Sequence, residues 1–315
     1  MRGARYSIPE LRNSMILSFT LATAFLVSAP FQSPSPRSLC DQALEHYRTT
    51  DYSSAVNTAA QAVQRDASDA ACQHIYGLSL AAVSRYSEAE QHLGQAITLK
   101  PTIANYHYDL GFVLYEQKKY EAAVPVLKRA VELDGENLMA RFLLGRTYVS
   151  AHRALLLGNF SKLALEQLNY VARRNPRFPT LHYHIGLIYS NDGAIEKAIQ
   201  ELKLEIQYQP SNAQARVALA ELQLKKGELD AAMEQLQLAE KAAPSVSLVH
   251  YTFAKVYREQ GRLDKAIDAA EKSVRLDSTS ADAHYLLGQL YRENGQVEKA
   301  QRELELFRKY QTVNP

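Results

Sequence analysis

The chain has 315 residues, with 36 basic and 34 acidic side chains and a formal net charge of +2. Arg2, Arg5, Arg12 and Glu10 all fall within residues 1–29, so the remainder is charge-balanced and lacks the basic footprint that nucleic-acid binding requires. The sequence also contains no HExxH, no Gly-Lys-Ser/Thr phosphate loop, no GxSxG elbow, no CxxC and no GxGxxG, which removes the common enzyme and cofactor signatures.

In chain order, the first segment (residues 1–29) has a basic start followed by the apolar run Met15 to Ala29. Fifteen residues of helix reach roughly 22 Å, short of the ~30 Å hydrocarbon core, so the layout is that of a secretory signal. Val27-Ser28-Ala29 suits signal peptidase, whereas Pro30 hinders it. A cleaved signal and a retained N-terminal anchor are both open, and each places the rest outside the cytoplasm, periplasmic or extracellular. Cys40 follows Arg37-Ser38-Leu39, which is no lipid-attachment context. Residues 30–35 form a short Pro/Ser linker.

From residue 36 onward, eight alanines set a period: Ala55, Ala89, Ala123, Ala164, Ala198, Ala232, Ala266 and Ala300, with six intervals of 34 residues and one of 41. Length alone suggests two domains, but a fixed period of this size is the sign of a solenoid, predicted over 36–315 as one continuous stack. Twelve residues before each alanine stands a small residue, as at Gly77, Gly111, Gly186, Ala220, Ala254 and Gly288. Turn residues such as Gln260-Gly261-Arg262 fall between the two, and Pro101, Pro176, Pro210 and Pro244 close four of the blocks. Each block therefore reads as two helices joined by a tight turn, with small side chains where the helices touch. The blocks start near 36, 70, 104, 138, 179, 213, 247 and 281.

The stretches His284-Tyr-Leu-Leu-Gly-Gln-Leu-Tyr291 and His107-Tyr-Asp-Leu-Gly-Phe-Val-Leu114, with Val297-Glu-Lys-Ala300 and Tyr120-Glu-Ala-Ala123, resemble the first and second helices of the tetratricopeptide repeat (TPR) family, with His in place of its usual Trp. The resemblance covers about residues 36–315 and implies an all-α fold, a right-handed α-solenoid of about eight helix-turn-helix units. The first block matches least well, lacking the glycine, the proline and the aromatic pair.

In that family the first helices line the concave surface and an extended segment of another protein lies along it. Carried over position by position, the resemblance implies a partner-binding groove containing Tyr108, Phe112, Tyr115, Phe142, Tyr183, Leu187, Tyr251, Lys255, Arg258, Tyr285 and Arg292. The family's chaperone carboxylate clamp is not expected, because aromatic and aliphatic residues stand where its Lys/Asn/Asn/Lys/Arg set would be. The expected function is a non-catalytic protein–protein scaffold without cofactor or metal. The alternative is a structural assembly subunit that self-associates, so that a homo-oligomer stays open.

Four of the nine histidines, His107, His182, His250 and His284, share one repeat position and each precedes a tyrosine, so the periodicity assigns them to packing between helices. Cys40 and Cys72 fall on the first helices of adjacent blocks. Such neighbours usually stand too far apart for the ~5.5–6 Å Cα separation of a disulfide, so two small buried residues are expected. The seven-residue surplus before Ala164 is close to two helical turns and predicts longer helices in the fourth block, with Leu155, Leu156, Leu157 and Phe160 near a protruding tip. Those four either cap a local core or form a docking knob. In the last helix Leu304, Phe307 and Tyr310 keep core spacing, which either caps the stack or leaves an apolar edge for self-association.

Overall fold

A computed structural model describes residues 35–155 and 160–311. Sixteen helices make up the described residues, in eight antiparallel pairs. The first pairs are α1 (Pro36–Arg48) with α2 (Tyr52–Arg65), α3 (Ala70–Ala82) with α4 (Tyr86–Leu99), and α5 (Ala104–Glu116) with α6 (Tyr120–Leu133). Then come α7 (Leu138–Leu155) with α8 (Phe160–Arg174), α9 (Leu181–Asn191) with α10 (Ile195–Tyr208), and α11 (Ala213–Lys225) with α12 (Leu229–Ala242). The last two are α13 (Ser247–Glu259) with α14 (Leu263–Leu276), and α15 (Ala281–Glu293) with α16 (Val297–Gln311). Their contacts divide the described chain into two compact units, one ending at Gln167 and the other beginning at Leu168.

Local chemistry accounts for the helix boundaries. Ser35, Asp51, Asp69, Asn212 and Ser280 cap helix starts by accepting main-chain N–H bonds on their side chains. Each of the seven described tight turns carries one residue at positive φ: Thr50, Ser84 and Lys118 in the first three pairs, and Gly193, Gly227, Gly261 and Gly295 in the last four. The turn closes in the same way each time. Lys119 N–H reaches back to the Leu114 carbonyl at 2.9 Å, and Ala194 N–H to the Tyr189 carbonyl at 2.8 Å, satisfying the helix's last acceptors.

The periodic alanines are buried, with Ala55, Ala89, Ala123, Ala164, Ala198, Ala232 and Ala266 fully enclosed. The small residue on the first helix faces a leucine one turn past the alanine. A methyl added to Gly77 would stand 2.6 Å from Leu93 Cγ, and one on Gly186 would stand 3.0 Å from Leu202 Cγ. Of the three repeats with alanine there, two carry a small partner, Ala43 clustering with Ala59 and Ala254 with Ala270, while Ala220 shares its cluster with Leu236. Each glycine is thus fitted to a leucine, whereas alanine takes either partner.

Cys40 and Cys72 form a disulfide with Cα atoms 5.3 Å apart, against the expectation of two unpaired residues. The reason is spacing. First helices of neighbouring pairs meet through residues 31 to 35 apart, as in Tyr115–Arg146 and His74–Asp109, and the cysteine separation of 32 falls inside that window. Their surroundings, Ala43, Ala59 and Ala62, are small enough to let α1 and α3 close.

The surplus before Ala164 goes mainly into α7, which has 18 residues where the other first helices have 11 to 13. Leu156 and Leu157 lie outside the described residues, as does the Leu155 side chain. Phe160 is half-buried and stacks on Tyr148 with ring centres 5.8 Å apart, so it packs back onto α7.

Candidate functional site: the inner row of first helices

Within each unit, first helices of successive pairs touch one another directly: α1 with α3, α3 with α5 and α5 with α7 in one unit, α9 with α11 and α11 with α13 in the other. Second helices reach the following pair through its first helix. Within each unit the first helices therefore form the tighter, inner row, and their outward-facing side chains make the candidate surface.

A recurring bracket fixes this row. Seven of the eight first helices carry near their start a polar side chain that donates to the main-chain carbonyl six residues earlier, in the loop arriving from the preceding pair. Gln73 reaches Ala67 at 2.9 Å, His107 reaches Pro101 at 2.8 Å, and Arg141 reaches Gly135 at 2.7 Å. His182 bonds Pro176, Arg216 bonds Pro210, His250 bonds Pro244 and His284 bonds Ser278, all within 3.1 Å. In five of these the same side chain also binds the second helix: Gln73 with His92, Arg141 with Gln167, His182 with Glu201, Arg216 with Gln235, and His284 with Glu303. One group thus ties a loop and two helices together, so the repeated histidines are hydrogen-bonded brackets rather than merely flat packing rings. Burial opposes charging of His182, but the hydrogen bond and charge of Glu201 outweigh it and raise its pKa.

The groove residues divide by accessibility. In the unit ending at Gln167, Tyr108 (7% exposed) and Phe142 (4%) are buried between helices, and burial pushes the Tyr108 phenol well above its ordinary value. They are packing residues in this structure, and they offer a partner almost no surface. Phe112 and Tyr115 stay partly exposed, and Tyr115 meets Tyr120 edge-on at 5.4 Å. In the unit from Leu168 onward, Tyr183, Leu187, Tyr251, Lys255 and Arg258 are partly open, while Tyr285 (44%) and Arg292 are exposed.

Charges on the second unit's row pair with each other. Lys255 lies 3.5 Å from Glu221 on the preceding first helix, while Arg258 binds Glu293 and, at 3.2 Å, Gln289 on the following one. The alternating signs visible in the sequence are a ladder between neighbouring pairs. Lys255 Nζ also lies over the Tyr251 ring, 5.4 Å from its centre.

Sequence reasoning missed Glu205. It is almost fully buried on α10, at the position that holds Ala62, Ala96, Ala130 and Ala239 in other pairs. It accepts from Asn212 Nδ2 at 2.8 Å and from the Tyr183 main-chain N–H at 3.2 Å. Burial raises its pKa, and those hydrogen bonds only partly offset the rise. A carboxylate breaking an alanine column was the available signal. Among the described residues there is no cluster of three or more His, Cys, Asp or Glu placed to hold a metal, and no helix is long and apolar enough to cross a membrane.

A stack of helical hairpins whose first helices form an inner row of partly open aromatic and charged side chains belongs to the α-solenoid interaction scaffolds. The tetratricopeptide-repeat sequence pattern matches residues 40–102, 77–137 and 108–154, and a second TPR pattern matches 254–300. The pattern of subunit 3 of the anaphase-promoting complex (cyclosome) matches residues 191–273. The chain is a tetratricopeptide-repeat protein. Among solved structures, it is similar to the APC/C hetero-tetramer Cut9–Hcn1, at 18% identity and a TM-score of 0.62 over 81% of this chain and 48% of that one. The chain thus spans about half the length of that relative. A tetratricopeptide-repeat protein from Parabacteroides merdae aligns at 18% identity and a TM-score of 0.64, over 77% of this chain and 92% of the other. PilF of Pseudomonas aeruginosa aligns at 18% and 0.56, over 68% and 94%. At these identities the likeness concerns the fold.

Proposed function

We propose that this chain is an exported, non-catalytic scaffold that holds an extended segment of another protein along the inner row of first helices. The observation that carries the reading is the run Tyr183, Leu187, Tyr251 and Tyr285, which stays partly or fully open to solvent on helices tied to the loops before them by part-buried hydrogen bonds. Tyrosine offers a large contact area with a polar tip at low entropic cost, as a peptide-receiving surface needs. Export is supported by the apolar run Met15 to Ala29 and by the Cys40–Cys72 disulfide, a bond that persists in oxidising compartments.

The test is photocrosslinking in cells from positions 183 and 285, with captured proteins identified by mass spectrometry. The expected outcome is one dominant partner whose capture falls when Tyr251 is replaced by alanine. Capture of nothing, or capture indifferent to Tyr251, would end the groove reading. Cell fractionation of the full chain checks export separately, and a wholly cytoplasmic chain would refute it.

A further inference from the structure

Arg146 lies on α7, one turn beyond Phe142. Its Nη2 donates to the Tyr115 hydroxyl at 3.2 Å. The guanidinium carbon sits 4.9 Å from the centre of the Tyr115 ring and 5.6 Å from that of Phe142. Arg146 is partly buried, and its Nε–H is enclosed yet has no acceptor among the described residues. No carboxylate pairs with it among the described residues. The carboxylate of Asp109, on the same inner row, is already held by His74 at 2.7 Å. Other first-helix arginines find acceptors: Arg141 in this unit is bonded to Gly135 and Gln167, and Arg258 in the other binds Glu293.

A guanidinium stacked on two rings is restrained, and an enclosed charged donor without an acceptor is unfavourable. Such a group is favourable only if something supplies the missing acceptor. We propose that Arg146 anchors a side-chain carboxylate, from Asp or Glu, of the partner segment bound along the inner row. This rests on the scaffold reading above. One guanidinium suits one counter-charge. A carboxylate arriving at the guanidinium supplies it, a small rotation of the side chain turns Nε–H onto the same oxygens, and the partly open Phe112 and Tyr115 receive the apolar flank of the segment.

The test starts with random peptides, displayed internally so that no free C-terminus is offered, selected on the full chain. We expect Asp or Glu enriched at one fixed position. Changing that residue to Asn or Gln in a synthetic amidated peptide should weaken binding about tenfold, the size of one charge-assisted hydrogen bond. On Arg146→Gln the same change should cost less than about twofold, which isolates the pair, and Arg146→Lys should restore part of the difference. Equal helicity and melting of the variants by circular dichroism shows that they fold. If binders are found without acidic enrichment, or the Gln peptide loses as much on Arg146→Gln as on the native chain, the inference is wrong and the scaffold reading stands. If only peptides with a free C-terminus bind, the commitment to a side-chain carboxylate is overturned. If nothing binds, both fall.

Discussion

The contact between Gly77 and Leu93 shows how little room each hairpin leaves. A methyl on Gly77 would stand 2.6 Å from Leu93 Cγ and 3.2 Å from the Ala89 carbonyl, so the neighbour must move. Gly77→Ala should therefore destabilise the unit ending at Gln167 by about 1–3 kcal/mol in urea unfolding, the usual cost of overpacking. An unchanged midpoint would mean that the leucine yields freely. Glu205 gives the opposite case, a polar group where an alanine suffices. Its folded pKa is raised by burial, so its favourable contribution is present below the ordinary carboxylate value of 4.5 and is lost as pH rises through the folded value. Glu205→Gln removes the buried charge but keeps one oxygen, enough for Asn212 or for Tyr183 and not for both. It should thus stabilise the protein at pH 7 by less than the full relief of desolvation and lose that advantage below about pH 4. Melting temperatures across this range decide it, and a variant less stable at pH 7 would show that the hydrogen bonds of the charged form outweigh its desolvation. Of these two residues, Gly77 was legible because small residues recur in phase. Glu205 was legible only as a carboxylate in a column that is alanine in four other pairs, and that column also holds Val171, Ser273 and Phe307, so the signal was weak.

Each hairpin needs a turn residue at positive φ and a bracket to the loop before it. Lys118 adopts φ 62°, where Gly193, Gly227, Gly261 and Gly295 stand in the later pairs. Lys118→Gly should gain about 1 kcal/mol through relief of the left-handed conformation, read as a higher urea midpoint. No gain would mean that the extra freedom of glycine in the unfolded chain cancels the relief. The bracket is tested by His250→Ala, which strips the Pro244 carbonyl of its donor. A loss of about 1–3 kcal/mol is expected from a buried acceptor left unpaired, whereas a loss of a few tenths would assign His250 to packing alone. The helix pairs and their number could be read from the period of the alanines. The brackets could not, because Gln, His and Arg share no composition signal, and their common act, donating six residues back, exists only once the loop has folded. The disulfide was misjudged for a related reason. Helix separation depends on the side chains at the contact, and three of those clustered with the cysteines are alanines.

At the scale of the molecule, a repeat array draws its stability from each hairpin and its neighbours, so a local staple acts locally. The Cys40–Cys72 bond closes a separation of 32 residues, which favours folding by about 3–4 kcal/mol through loss of freedom in the unfolded chain. Reduction should speed amide exchange in residues 36–99 and leave residues 168–311 unaffected when hydrogen exchange is followed by mass spectrometry. Uniform acceleration throughout would contradict a local effect. The surface carrying the proposed function was legible only in part. Tyrosines at helical spacing can be read from a sequence, but the burial of Tyr108 against the openness of Tyr285 is set by how neighbouring hairpins close.

The matched volumes at the hairpin contact also bear on how such an array can change by duplication. A crossover inside the turn would join the first helix of one repeat to the second helix of another. Gly111 would then meet Ala59 and leave a void. A crossover in the loops between hairpins keeps each glycine with the leucine fitted to it. The heritable module of this chain is therefore the whole hairpin, and gain or loss of repeats is expected in steps of about 34 residues with breakpoints in the inter-hairpin loops.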